Sequence, residues 1–186
     1  MKKVIILLVV MVCLVGCSNQ SNHLNQVMKM RETLNNSKGC QFTVDITADY
    51  GNTVYGFSMD CKWENTGILT FTVTNPDSIS DISGTISQDS SNLTFDGKAL
   101  AFQPIADGYI TPVTAPWLFV KTLAGGYIAS VSKDDSLLHI LAQDSYANES
   151  MEMDIWLSDK NIPVGAEMVW KGKRILTLNV KNFTYL

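Results

Sequence analysis

The side chains able to ligate, oxidise or attack are few: four cysteines (Cys13, Cys17, Cys40, Cys61) and two histidines (His23, His139). Cys40 and Cys61 fall in a segment that reads as a hairpin, 40–48 and 53–63, around Asp49-Tyr50-Gly51-Asn52. With that loop Ala48 faces Thr53 and Cys40 lies opposite Cys61, where a non-hydrogen-bonded pair brings Cβ atoms close enough for a disulfide. Such a bridge contributes roughly 3 kcal/mol in the chain-entropy description. The alternative is two buried free thiols. No histidine or third cysteine keeps metal-like spacing with the pair, which disfavours zinc. His139 stands among mostly apolar strand residues, where a single histidine reads as a satisfied structural residue rather than a base. There is no Gly-x-Ser-x-Gly elbow, His-Glu-x-x-His, phosphate loop or Gly-x-Gly-x-x-Gly after a strand. Asp134-Asp135 reads as a solvated turn without partner carboxylates for calcium. No catalytic constellation, cofactor or metal is implied, and the expectation is a non-enzyme.

The remaining two cysteines belong to the N-terminus. Met1-Lys2-Lys3 precedes an unbroken apolar run, 4–15, and then Gly16-Cys17-Ser18-Asn19-Gln20. A positive start, a short apolar core and a small residue at the cut make a secretory signal, residues 1–16. The apolar run is 12 residues, whereas a spanning helix takes about 20. Leu14-Val15-Gly16-Cys17 resembles the bacterial lipobox. That resemblance implies a diacylglycerol on the Cys17 thiol and acylation of its freed amine. Each buried methylene contributes about 0.8 kcal/mol, and stable anchoring takes more than one chain. Residues 17–22 are then a lipidated tether, and 23–186 a single domain on the extracytoplasmic side of a bacterial membrane. An ordinary secreted protein is the alternative.

Cleavage leaves 170 residues, enough for one domain with its own core. Lys2 and Lys3 leave and no acid does, so the net charge moves from −4 to −6. An acidic domain repels nucleic acid and anionic headgroups, so neither is an electrostatic partner.

These residues must be held by a mostly β scaffold. Leu24, Val27, Met28 and Leu34 recur at helical spacing, and Asn35-Asn36-Ser37-Lys38-Gly39 ends that helix. The period then becomes two. Phe42, Val44, Ile46 and Ala48 share a face, as do Tyr55, Phe57, Met59, Cys61 and Trp63, then Leu69, Phe71 and Val73. Short strands are expected at 82–87, 93–95 and 99–102, and further ones at 137–143, 149–157, 164–170 and 173–183. Between these groups, 114–124 reads as a helix, with Thr114 as cap, Pro116 in the first turn and Gly125-Gly126 at the end. It is apolar nearly all round, so more than one surface must cover it. The fold class is α+β, mainly antiparallel β: a curved sheet or half-open barrel, with an N-terminal helix and the apolar helix on its concave side.

The order of elements carries a resemblance. Asp154-Ile155-Trp156-Leu157-Ser158-Asp159-Lys160-Asn161-Ile162-Pro163-Val164, continuing to Gly172-Lys173-Arg174-Ile175-Leu176-Thr177-Leu178, is similar to a repeated pattern. It is the "strand, Asp-Lys, Pro, strand, Gly-Lys, strand" wording of the outer-membrane lipoprotein-carrier (LolA/LppX-like) superfamily. The resemblance implies a half-barrel whose apolar concavity takes acyl chains. Lipidation and the Cys40/Cys61 pair depart from the soluble carriers, so a relative of this kind would receive or hold cargo at one membrane.

The leading expectation is a lipid or other apolar ligand in the half-barrel. Trp117, Leu118, Phe119 and Leu123 would line the site from the helix, and Phe57, Met59, Phe71 and Met153 from the strands. A filled core that docks another envelope protein is the alternative. An enzyme with an unrecognised site is the third reading.

Overall fold

Residues that alternate apolar and polar can bury one face of a sheet and solvate the other, and this alternation organises the chain. The computed structural model describes residues 18–88, 91–92, 104–147 and 150–186. Helix α1 (Ser18–Asn36) leads into β1 (Gly39–Asp49), β2 (Val54–Glu64), β3 (Ile68–Asn75), β4 (Ser83–Ile86) and the two-residue β5 (Ser91–Asn92). A 3-10 turn (Pro112–Thr114) and helix α2 (Ala115–Gly125) follow. The chain then runs through β6 (Tyr127–Asp134), β7 (Leu137–Gln143), β8 (Glu152–Leu157), β9 (Pro163–Trp170) and β10 (Lys173–Tyr185). The signal, Cys17 and the strands expected at 93–95 and 99–102 lie outside the described residues.

All ten strands form one antiparallel sheet in the order β5-β4-β3-β2-β1-β10-β9-β8-β7-β6. The first and last long strands meet at its centre, with Val44 opposite Val180 and Ile46 opposite Leu178. Among the described residues the sheet is open, with β5 and β6 at its two ends. Helix α2 packs on the face that carries the buried residues of β1 and β2.

The inward residues form one continuous core. Phe42, Val44 and Ile46 pair with Cys61, Met59 and Phe57, and Cys61 with Phe71, all buried. Phe119 of α2 meets Phe42 edge-on, centroids 6.2 Å apart. The outer face is polar: Thr43 donates to Asp60 (2.9 Å) and Ser58 to Asp45 (2.8 Å). Val27, Met30 and Leu34 turn the buried stripe of α1 onto the same core.

The first hairpin corrects the expected cysteine register. Its loop is Tyr50–Thr53, because Asp49 still pairs with Val54. The Asp49 carboxylate accepts the Gly51 N–H at 2.6 Å, and Gly51 takes φ +87°. Moving the loop on by one residue shifts every facing pair by two. Cys40 therefore faces Trp63, and Cys61 faces Phe42. The two cysteines are diagonal neighbours, about 7–8 Å apart or slightly less in an antiparallel pair, whereas a disulfide spans roughly 3.8 Å between Cβ atoms. Both are buried free thiols. Burial pushes Cys40 up to about 12. It raises Cys61 too, with Asp60 and Cys40 adding to the effect.

Candidate ligand-binding cleft beside the central helix

Helix α2 begins without a side-chain cap on its first turn. Thr114 Oγ1 instead donates to the Thr111 carbonyl (2.9 Å) and accepts the Thr111 N–H (3.2 Å), closing the preceding 3-10 turn. Leu118, Phe119, Val120 and Leu123 are buried, so the sheet and α1 cover most of the helix circumference. Trp117 and Lys121, four residues apart and on one stripe, are only partly buried. They face a cleft of about 510 Å³. Its other walls are Trp63, Gly67 and Ile68 at the β2–β3 turn, and Ser87 and Gln88 after β4, while Ala124 and Gly125 form the end of the helical wall. A second hollow of about 280 Å³ shares Ser87, Gln88, Trp117 and Lys121, and reaches Ile110, Leu118 and Tyr109.

Two contacts fix this geometry. The Trp117 indole N–H donates to the Gly67 carbonyl at 2.9 Å, tying helix to turn across 50 residues. Gly67 holds φ +87°, a left-handed conformation that a side chain would strain. Lys121 Nζ lies 4.9 Å from the Trp117 ring centroid, a cation over an aromatic face. The rim also has an exposed phenol–carboxylate bond, Tyr109 donating to Asp144 at 2.6 Å. Partial burial, and then Asp144, push the Tyr109 hydroxyl up to about 12. On the cleft wall, the buried Trp63 indole N–H has no hydrogen-bond partner among the described residues. The cleft sets Trp117, Ile68 and the edge of Trp63 against Thr66, Ser87, Gln88 and Lys121, so apolar and polar walls meet there in comparable measure.

The residues expected to line an interior cavity divide into two groups. Trp117 and Leu118 reach the clefts. Phe57, Met59, Phe119, Leu123 and Met153 are 0–3% exposed and belong to the continuous core. Phe71 is equally buried and touches a shallow groove of about 420 Å³, whose other walls are outward residues such as Gln41, Asp60 and Lys62. The pattern of apolar residues could not reveal Lys121 or the β2–β3 turn, because a cleft wall needs a shape rather than a period.

His139 is satisfied across the sheet. Its Nε2 lies 2.7 Å from Asp154 Oδ1, its Nδ1 3.4 Å from Ser132 Oγ, and its ring stacks on Trp156. These are the residue types of a hydrolytic triad, but the serine contact is long for a nucleophile and base. The group stands on β6, β7 and β8, away from both clefts.

No family model matches the sequence, and no curated protein matches it. Solved structures do. The chain is similar in layout to the LolA superfamily. One such protein, from Nitrosomonas europaea, is 9% identical over 85% of this chain and 92% of that one, with a TM-score of 0.41. The Mycobacterium tuberculosis lipoprotein LppX is 12% identical over 88% of this chain and 95% of that one, also at 0.41. MucB is 12% identical over 91% of this chain and 59% of that one, at 0.42. These likenesses describe architecture alone.

Proposed function

We propose that this protein is a lipid-anchored, non-enzymatic binding protein of the bacterial envelope. It would hold an acyl chain or other apolar ligand as a receptor or carrier at one membrane. The observation that carries this reading is the 510 Å³ cleft walled by Trp63, Ile68 and Trp117. Ligand sites commonly occupy about 300–1,000 Å³, with apolar walls and a few placed polar groups. Lys121 supplies one such group. Anchoring through Cys17 rests on the lipobox and on an apolar run too short to span.

The test is binding of a fluorescent fatty acid to the chain from Ser18, with a cleft-wall variant beside it. A Cβ on Gly125 meets nothing within 4 Å, so Gly125→Trp adds an indole at the end of the cleft wall with little strain. It is expected to remove binding and keep the melting temperature. Undiminished binding by a folded Gly125→Trp protein would exclude this cleft as the site. Docking of another envelope protein is the second reading, favoured by the complete burial of Met59 and Met153. It predicts no fatty-acid binding at all.

A further inference from the structure

We infer that one flank of α1, continued by two tyrosines, lies against the bilayer and sets the domain's orientation on the membrane. This rests on the reading of Cys17 as the lipidated residue. Leu24 and Met28 are 42% and 46% exposed, unusual for large apolar side chains on a helix whose buried stripe is Val27, Met30 and Leu34. They stand four residues apart, on the flank that also carries Arg31 and Asn35. Arg31 donates to the Gly126 carbonyl at 2.9 Å, which sets Tyr127, the next residue, beside this flank. Tyr127 meets Tyr146 edge-on at 5.4 Å, and the two rings are 41% and 80% exposed. Four of the exposed large apolar residues thus fall on α1, at the start of β6 and in the segment after β7.

The anchor commits this side to one occupant. Ser18, the residue after Cys17 in the sequence, already belongs to α1 among the described residues. At about 1.5 Å rise per residue, Leu24 and Met28 lie roughly 9 and 15 Å along the axis from Ser18. Acyl chains carried on the residue before Ser18 hold these first turns near the interface, and the exposed Leu24 and Met28 lay the helix along it rather than upright on it. Tyrosines suit that level, with an apolar ring inward and a hydroxyl in the headgroups. The contact is apolar, as it must be for an acidic domain. It also brings the Ala124–Gly125 end of the cleft, gripped by Arg31 and Asn35 of the same flank, towards the lipid from which a chain would come.

The experiment uses the full lipidated protein in phosphatidylcholine vesicles, with an environment-sensitive fluorophore on Met28→Cys and, separately, on Lys62→Cys on the outer face. Cys40 and Cys61 are buried and stay unlabelled. The label at 28 is expected to be quenched by lipid-borne nitroxide and shielded from aqueous iodide, at low and high salt alike. The label at 62 should show the reverse. A label at 28 as open to iodide as the one at 62, on protein whose Cys17 peptide carries acyl mass, overturns the orientation and leaves the anchoring reading intact. Membrane-fraction protein with an unmodified Cys17 peptide overturns both. A second variant, Tyr146→Glu on the Met28→Cys background, should restore iodide quenching at 28; no change there also counts against the shared patch.

Discussion

Arg31 is the link between the helix next to the anchor and the helix that lines the cleft. Its Nε donates to the Leu123 carbonyl at 2.8 Å, and its Nη2 to those of Thr122 (3.2 Å) and Gly126 (2.9 Å). The last carbonyls of a helix have no intrahelical donor, and they carry the negative end of its dipole. Thr122 has another partner in the Gly126 N–H, so Leu123 and Gly126 lose most when the guanidinium goes. A hydrogen bond to a charged group contributes about 1.5–3 kcal/mol when it is well buried. Arg31 is only half-buried, so water can replace part of what is lost. Arg31→Ala should therefore cost about 2–3 kcal/mol for the two main bonds together. For a domain of this size, at about 2–4 °C per kcal/mol, the melting temperature should fall by roughly 5–10 °C. Arg31→Lys keeps a charge near the helix end, worth about 0.3–1 kcal/mol, but cannot reach two carbonyls in one plane, so it should fall between the two. Chemical denaturation followed by circular dichroism measures both variants. Hydrogen exchange then locates the effect: amides near the end of α2 should exchange faster while the β1–β10 ladder stays protected. Arg31→Ala within 0.5 kcal/mol of the parent, or a lysine variant equal to arginine, would refute the argument.

Other expectations follow from single features. Cys17→Ser should leave the precursor unacylated and move the protein out of the membrane fraction; equal membrane retention would refute the anchor. Cys40 and Cys61 should be silent to a thiol reagent in the folded, unreduced chain from Ser18 and count as two after unfolding, a count of zero meaning a bridge. Burial raises both thiols, so stability should be flat below the unfolded value of about 9. Above it, stability should fall as pH rises towards the folded value, because only the unfolded chain releases these protons. His139→Gln should leave ligand binding unchanged and cost no more than about 1 kcal/mol, as expected for a partly exposed pair; a lost hydrolytic activity in that folded variant would reinstate the triad.

Strands β1–β3 were legible because each buries one face, so that Phe42, Val44 and Ile46 mark their own period. Strand β6 was not. As an edge strand it buries only Val131, and with one apolar residue inward there is no alternation to read. The helix limits show the same dependence on context. Ser18–Asn22 reads as polar tether because nothing apolar recurs there, yet α1 includes it. The hairpin register turned on whether Asp49 ends a strand or opens a loop, and its carboxylate on the Gly51 N–H decides that only in three dimensions. Arg31 reads as a charge interrupting an apolar helix. Its reason lies 91–95 residues away, in carbonyls that reach it only when α2 packs on the sheet.

Whether the half-barrel keeps a usable interior turns on Leu123. Helix α2 packs its buried side chains on the core face of the sheet, Phe119 against Phe42, and fills space there that would otherwise be open. Leu123 is 2% exposed within the core. In a close-packed interior, Leu123→Trp forces its neighbours aside and costs roughly 1–3 kcal/mol. Fatty-acid binding at the Trp117 cleft should survive in the fraction that remains folded. In an interior that yields to a ligand the outcome is opposite. Met59, Met151, Met153 and Met168 are all fully buried, and unbranched, flexible side chains of this kind can repack around a guest. There the new indole occupies the guest's place, leaving stability nearly unchanged and removing binding. Paired measurement of melting temperature and binding in Leu123→Trp and Gly125→Trp separates the cases. Loss of stability from the first and loss of binding from the second place the ligand at the cleft. Loss of binding from Leu123→Trp without loss of stability would move it into the barrel, and would refute the view that α2 fills the concavity.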